Sequence, residues 1–190
     1  MASSEIVYPW YTVIHNQESL EQGDILQNFE VFNINRAFTS DDAEYDVTLQ
    51  ALDVVVLTQS CDIEHEKARS LVLCPITPLA DIIRTASERG EQHWKKTDYL
   101  QRLRQGNIPG FHLVSDFDSS EITFPVSVVN FREIYSAPTA QVRDFIGRGQ
   151  PRLRLCPPYK EHLAQAFARF FMRVGLPIDI PIEKIKASGT

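Results

Sequence analysis

Basic residues are nearly missing from the first third of the chain. Residues 1–66 carry 13 Asp and Glu against one cation, Arg36, a net of −12. Residues 67–190 carry 12 Asp and Glu and 18 Lys and Arg, a net of +6, so the overall −6 conceals two oppositely charged parts. Such asymmetry fits a nucleic-acid surface on the basic side, halves that face and neutralise one another, or solvated faces with no partner. Long apolar runs are lacking too. None approaches the roughly 18–20 residues that a membrane-spanning helix needs, so no membrane association is expected. Cysteine is scarce: Cys61, Cys74 and Cys156 make an odd count without a CxxC pair, which argues against a disulfide framework and suits a reducing compartment. The opening Met1-Ala2-Ser3-Ser4-Glu5 shows no basic stretch leading into an apolar one, so a cytoplasmic chain is expected.

What is present is enough for a core. With 43% hydrophobic residues in 190, the chain reads as one globular domain spanning 1–190. No repeat or low-complexity tract interrupts it. Ile6 to Ile14, with Tyr8, Trp10 and Tyr11 around Pro9, reads as an edge strand or packed arm. Gln22 to Leu26 reads as a turn into a first strand continued by Phe29, Val31 and Phe32. Asn33 to Asp46 has the polar, acidic chemistry of a loop. Leu52 to Thr58, containing Val54-Val55-Val56-Leu57, predicts a strand buried on both faces, and Ser70 to Ile76 reads the same way. Pro75 places the end of that strand near a sheet edge, and the charged Asp62 to Ser70 links the two as a hairpin loop or helical turn.

The period changes over Asp81 to Gln105. Ile82, Ile83 and Ala86 predict a short helix ended by Gly90; Thr97 reads as the cap of a second, ended at Gly106. Strand signals return at Phe111 to Val114 and at Ile122 to Val129. The apolar residues Leu163, Ala166, Phe167, Phe170, Phe171 and Val174 fall at helical spacing, which predicts an amphipathic helix over Glu161 to Val174 with a broad buried stripe. The whole reads as a mostly-β, α+β chain.

The order of these pieces resembles the PemK/MazF family of toxin endoribonucleases. Gly23-Asp24-Ile25-Leu26, then Val54 to Gln59, then Leu71 to Thr77 match the first three strands of that family. Phe124 to Val129 with Arg132-Glu133-Ile134 matches its Ser-Val strand and turn, Val142 to Gly147 its short helix, and Glu161 to Leu176 its last one. The resemblance covers about residues 22–176, with a helical insertion at about 80–108, and implies an SH3-like barrel. It also implies metal-free, cofactor-free cleavage of single-stranded RNA, in which a 2′-hydroxyl attacks the adjacent phosphate while a cation stabilises the developing charge. Thr77 falls at the family's assisting Thr position. The family's Arg before the Val-rich strand is missing: Thr48 to Asp53 holds no cation. Carboxylates near a phosphodiester would instead repel it by about 1 kcal/mol per close, partly screened charge. Arg36, Lys67 and Arg69 are the nearest substitutes in sequence.

Three further clusters carry reactive or recognition chemistry. In Thr58 to His65, Cys61 and His65 fit a nucleophile and its base, or Cys61, Asp62 and His65 a metal set; the same run reads equally as a strand-to-turn transition with Cys61 packed as a small apolar group. The four other histidines, His15, His93, His112 and His162, form no recognisable ligand pair. Arg148, Arg152, Arg154 and Lys160, with Tyr159, fit a single-stranded nucleic-acid surface; Arg152 and Arg154 alternate with Leu153 and Leu155, as on a strand with one wet face. Arg169 and Arg173 are candidates to pair with the acidic N-terminal third. Trp94, Tyr99 and Lys95-Lys96 make the insertion either a partner-binding platform or a cover for the open end of the barrel.

Taken together, the leading expectation is a divergent, catalytically degenerate PemK/MazF-like protein that binds a protein partner in a bacterial regulatory, defence or toxin–antitoxin setting. A metal-free endoribonuclease cutting single-stranded RNA is the alternative, and the resemblance implies a homodimer.

Overall fold

The computed structural model describes residues 8–15, 19–35 and 46–172. Its centre is the valine run. β3 (Asp46–Val56) pairs antiparallel with β2 (Asp24–Asn35) on one side and with β4 (Ser70–Pro78) on the other. Val54, Val55 and Val56 are fully buried, and alternation sends them into two different cores. Val55 joins Ile25, Cys74 and Ile76, whereas Val54 and Val56 join Leu26, Phe29, Leu71 and Leu73. A strand covered on both faces has no use for polar alternation, which is why the run is continuous.

Around this centre the strand order is β1 (Tyr11–Ile14), β10 (Arg152–Leu155), β2, β3, β4, β8 (Ser127–Asn130), β5 (Phe111–Val114), with β9 (Tyr135–Pro138) also on β4. All of these pairs are antiparallel. The eight-stranded sheet is not closed. It curls until its two ends meet through side chains: the Tyr11 hydroxyl donates to the Ser115 carbonyl at 2.6 Å. The Tyr11 ring also packs edge-on against Phe117 and Phe124, which belong to the separate ribbon β6 (Phe117–Asp118) and β7 (Thr123–Phe124).

Among the described residues five helices cover the faces. α5 (Tyr159–Phe171) puts the fully buried Leu163 into the core around Val55. α1 (Ser60–Glu64) and α4 (Thr139–Ile146) bring Ile63 and Val142 to the opposite core. The insertion forms α2 (Leu79–Glu88), a 3-10 turn (Gln92–Lys95) and α3 (Thr97–Arg104), with its own core of Ala86, Trp94, Leu103 and Ile108 closed onto Val128 of β8. Among the described residues no helix is long and apolar enough to cross a membrane.

Several expectations need correction. Asn33–Asn35 and Asp46 belong to strands, so the predicted loop is shorter at both ends; residues 36–45 lie outside the described residues. Pro75 is not at an edge but in a central strand, opposite Val54. It is tolerated because β4 changes partner there: residues 70–73 pair with β9 and 76–78 with β8, so no ladder bond on that side requires its missing N–H. Thr97 is the first residue of α3 rather than its cap, which is Lys96. Pro125 splits the predicted strand at 122–129 into β7 and β8. The buried stripe of α5 fades at its end, with Phe171 54% exposed, and Val174 lies outside the described residues.

Candidate functional site

The conformation of β10 decides the fate of the two arginines expected on a wet face. Its register places Leu153 opposite Ile25 and Arg154 opposite Asp24 of β2. The Asp24 side chain is completely buried and accepts from Arg152 Nε at 2.8 Å and from Arg154 Nε. Arg152 is itself buried and donates through Nη2 to the Ser19 carbonyl at 3.0 Å. Arg154 also donates to Glu21 at 2.7 Å and to the Ser19 carbonyl. These cations therefore hold the segment before β2 onto β10, and the expectation of a wet strand face at Arg152 is corrected. Charged pairs of this kind persist in an interior only when each charge meets its opposite and its hydrogen bonds.

The charge asymmetry is in part resolved by the same contacts. Asp24, Glu21 and Glu66 of the acidic third pair with Arg152, Arg154, Lys160 and Arg143 of the basic part. Arg169, expected to do this, instead donates to Gln165 on its own helix at 3.5 Å; Arg173 lies outside the described residues.

The remaining predicted residues do not converge. Thr77 is half-buried in β4 opposite Val128. Ile76 points into the core around Val55, so Thr77 points to the other face, the one Val128 shares with the insertion. Of the cations expected to substitute for the missing Arg, Lys67 and Arg69 are exposed and Arg36 lies outside the described residues. Cys61 is exposed in α1, with its sulfur 3.7 Å from Gln59 Oε1 and 3.9 Å from Asp62 Oδ1. His65 caps that helix through its backbone N–H to the Cys61 carbonyl at 3.1 Å. Acceptors rather than cations thus neighbour the thiol, the reverse of what stabilises a thiolate. Among the described residues no three His, Cys, Asp or Glu are placed to hold a metal ion, so Cys61, Asp62 and His65 do not assemble as a ligand set.

Trp94, a candidate for a partner-binding platform, is buried in the insertion against Tyr99 at 5.0 Å and Phe111 at 5.3 Å between ring centres. Tyr159 stacks on Trp10 at 3.7 Å and 11°. Arg148 is exposed, its guanidinium 5.5 Å over the Phe145 ring, beside a cleft of about 220 Å³ that Arg152 and Pro151 also line.

What the sequence reading missed is an apolar patch on the β2–β3 hairpin. At the bulge between Leu26 and Phe29, Asn28 takes φ 57° and donates its N–H to Asp53 at 2.8 Å, and the two strands run on beyond it as a pair. Residues 29–35 and 46–52 pair with one another and, among the described residues, with no third strand. Phe32 and Leu49 are directly opposite on this ribbon and are 58% and 60% exposed. Phe32 also lines a cleft of about 200 Å³ with the exposed Ile134 and with Gln141. The signal was Phe32 next to Val31: Val31 points into the core, so alternation forces a large apolar ring outward. Protein-family models, curated proteins and solved structures, compared with this chain, return no match.

Proposed function

We infer that this chain is a divergent PemK/MazF-like protein, on an opened SH3-like barrel, that binds a protein partner in place of cutting RNA. The setting that fits is bacterial regulation or defence of the toxin–antitoxin kind. The observation that carries the reading is the Phe32–Leu49–Ile134 patch, on a ribbon that among the described residues pairs with no third strand. Contiguous exposed apolar surface of this sort marks protein–protein contact, because leaving it in water costs about 25 cal/mol per Å². Strand edges without a partner strand among the described residues add main-chain donors and acceptors to the same surface. Loss of catalysis is supported by the commitment of Arg152 and Arg154 to Asp24 and by the insertion packed on the face that carries Thr77. The curl of the sheet, with its ends joined through Tyr11, supports the barrel ancestry.

The test has two arms. Purified protein and Thr77→Ala are incubated with labelled single-stranded RNA in EDTA, and no cleavage by either is expected. Cleavage by the wild type that Thr77→Ala removes would overturn the reading in favour of a metal-free endoribonuclease. In the second arm, protein recovered with its cellular partner should lose it in Phe32→Ser/Leu49→Ser. A partner that stays bound in the double variant would place the interface elsewhere. Light scattering of both forms identifies the case in which the partner is a second copy.

A further inference from the structure

The fold brings together two histidines that stand far apart in the sequence. His112 lies in β5, His162 on α5, and both line one cleft of about 430 Å³ between α5 and the segment that leaves the insertion. Arg104, from the end of α3, and Arg169, about two helical turns beyond His162, complete its charged lining. Among the described residues that line it none is Asp or Glu, although the chain as a whole carries −6. The half-buried Phe170 supplies an aromatic wall, backed by the buried Phe131, and Gln105, Asn107 and Gln165 supply amides.

Two backbone features shape this cleft. α3 ends with Gly106 N–H on the Leu103 carbonyl at 3.0 Å and Asn107 N–H on the Arg102 carbonyl at 2.8 Å. That closure satisfies two carbonyls at the negative end of α3, whose charge Arg102 and Arg104 in its last turn offset. Gly110, at φ 91°, lets the chain pass close under α5: a Cβ there would lie 3.2 Å from Phe170 and 2.8 Å from Arg132 Nε. The Phe111 ring is taken up by the insertion core, 5.3 Å from Trp94 and with Arg132 4.7 Å over it, so it ties the floor of the cleft to the insertion. The bond from Arg169 to Gln165 is long, 3.5 Å, and leaves guanidinium donors for a ligand.

We propose that this cleft binds a nucleotide, its phosphate held by Arg104, Arg169 and the histidine pair and its base against Phe170. The volume lies within the roughly 300–1,000 Å³ of small-molecule sites, and a ring stacked beside a phosphate uses every kind of lining group present. Burial, with help from His162 and Arg169, pushes His112 down to about 4. It is therefore neutral at pH 7, and a bound phosphate would pull its midpoint back up. The site shares no residue with the Phe32 patch and does not depend on the inferred function.

The experiment is calorimetric titration of the full chain with AMP, adenosine and inorganic phosphate in parallel, together with NMR titration of the His112 ring. AMP should bind saturably and at least tenfold more tightly than adenosine or phosphate. Arg169→Gln and Arg104→Gln, both at exposed positions, should each weaken AMP at least tenfold with unchanged melting temperature. The His112 midpoint should rise when AMP is present. Adenosine or phosphate binding as tightly as AMP, AMP affinity unchanged in both variants, or no AMP binding would each overturn the assignment.

Discussion

At the scale of single residues, Asp24 is the most consequential side chain described. It is fully buried and accepts from two arginines, so its removal strands two cations in or near the interior. Losing one partner of a buried pair typically costs about 3–5 kcal/mol. Asp24→Ala should therefore lower unfolding free energy by that amount in urea titrations. His112 makes a second residue-scale prediction. Its folded-state value of about 4 lies below the ordinary 6.5, so the unfolded chain binds the extra proton first as pH falls. The stability it contributes is complete above pH 6.5 and is lost between there and about 4. The loss amounts to about 3 kcal/mol. The charges facing it are His162 and Arg169 from α5, with Arg104 lining the same cleft. Stability measured across that pH range should be flatter in His112→Phe than in the wild type.

At the scale of elements, the approach of β5 to α5 rests on Gly110. A side chain there meets both a left-handed backbone and the Phe170 ring. Gly110→Ala should cost about 1–3 kcal/mol, read as a lowered urea midpoint with unchanged slope. The β2–β3 hairpin shows the opposite economy. Its base is fixed by the bulge at Asn28 and the buried valines, while its outer half keeps large apolar side chains in water. An arrangement that gains so little alone is understandable as half of an interface.

At the scale of the whole molecule, the insertion is part of the same cooperative unit as the sheet, since Val128 of β8 closes its core. The chain has two tryptophans, Trp10 packed on the α5 side and Trp94 inside the insertion. Each can report alone when the other is changed to Phe. Their fluorescence transitions in urea should coincide; an earlier transition at Trp94 would show that the insertion folds independently.

Most elements were legible because local patterns decide them. The valine run, the period of α5 and the glycines ending α2 and α3 are short-range signals, and each lies where it was read. The sites were less legible because they depend on which distant strands pair. Arg152 alternates with leucines like any wet-face residue, and only the register of β10 on β2 turns it onto Asp24. Trp94 has charged neighbours, yet the packing of the insertion onto Val128 buries it. His112 and His162 stand fifty residues apart in sequence and share a cleft because β5 passes beneath α5. Sequence alone determined which segments form strands and helices and how much apolar surface they must bury. Tertiary structure alone decided which charges are spent inside and which remain for a partner, since the cost of burying a charge depends on what lies opposite it.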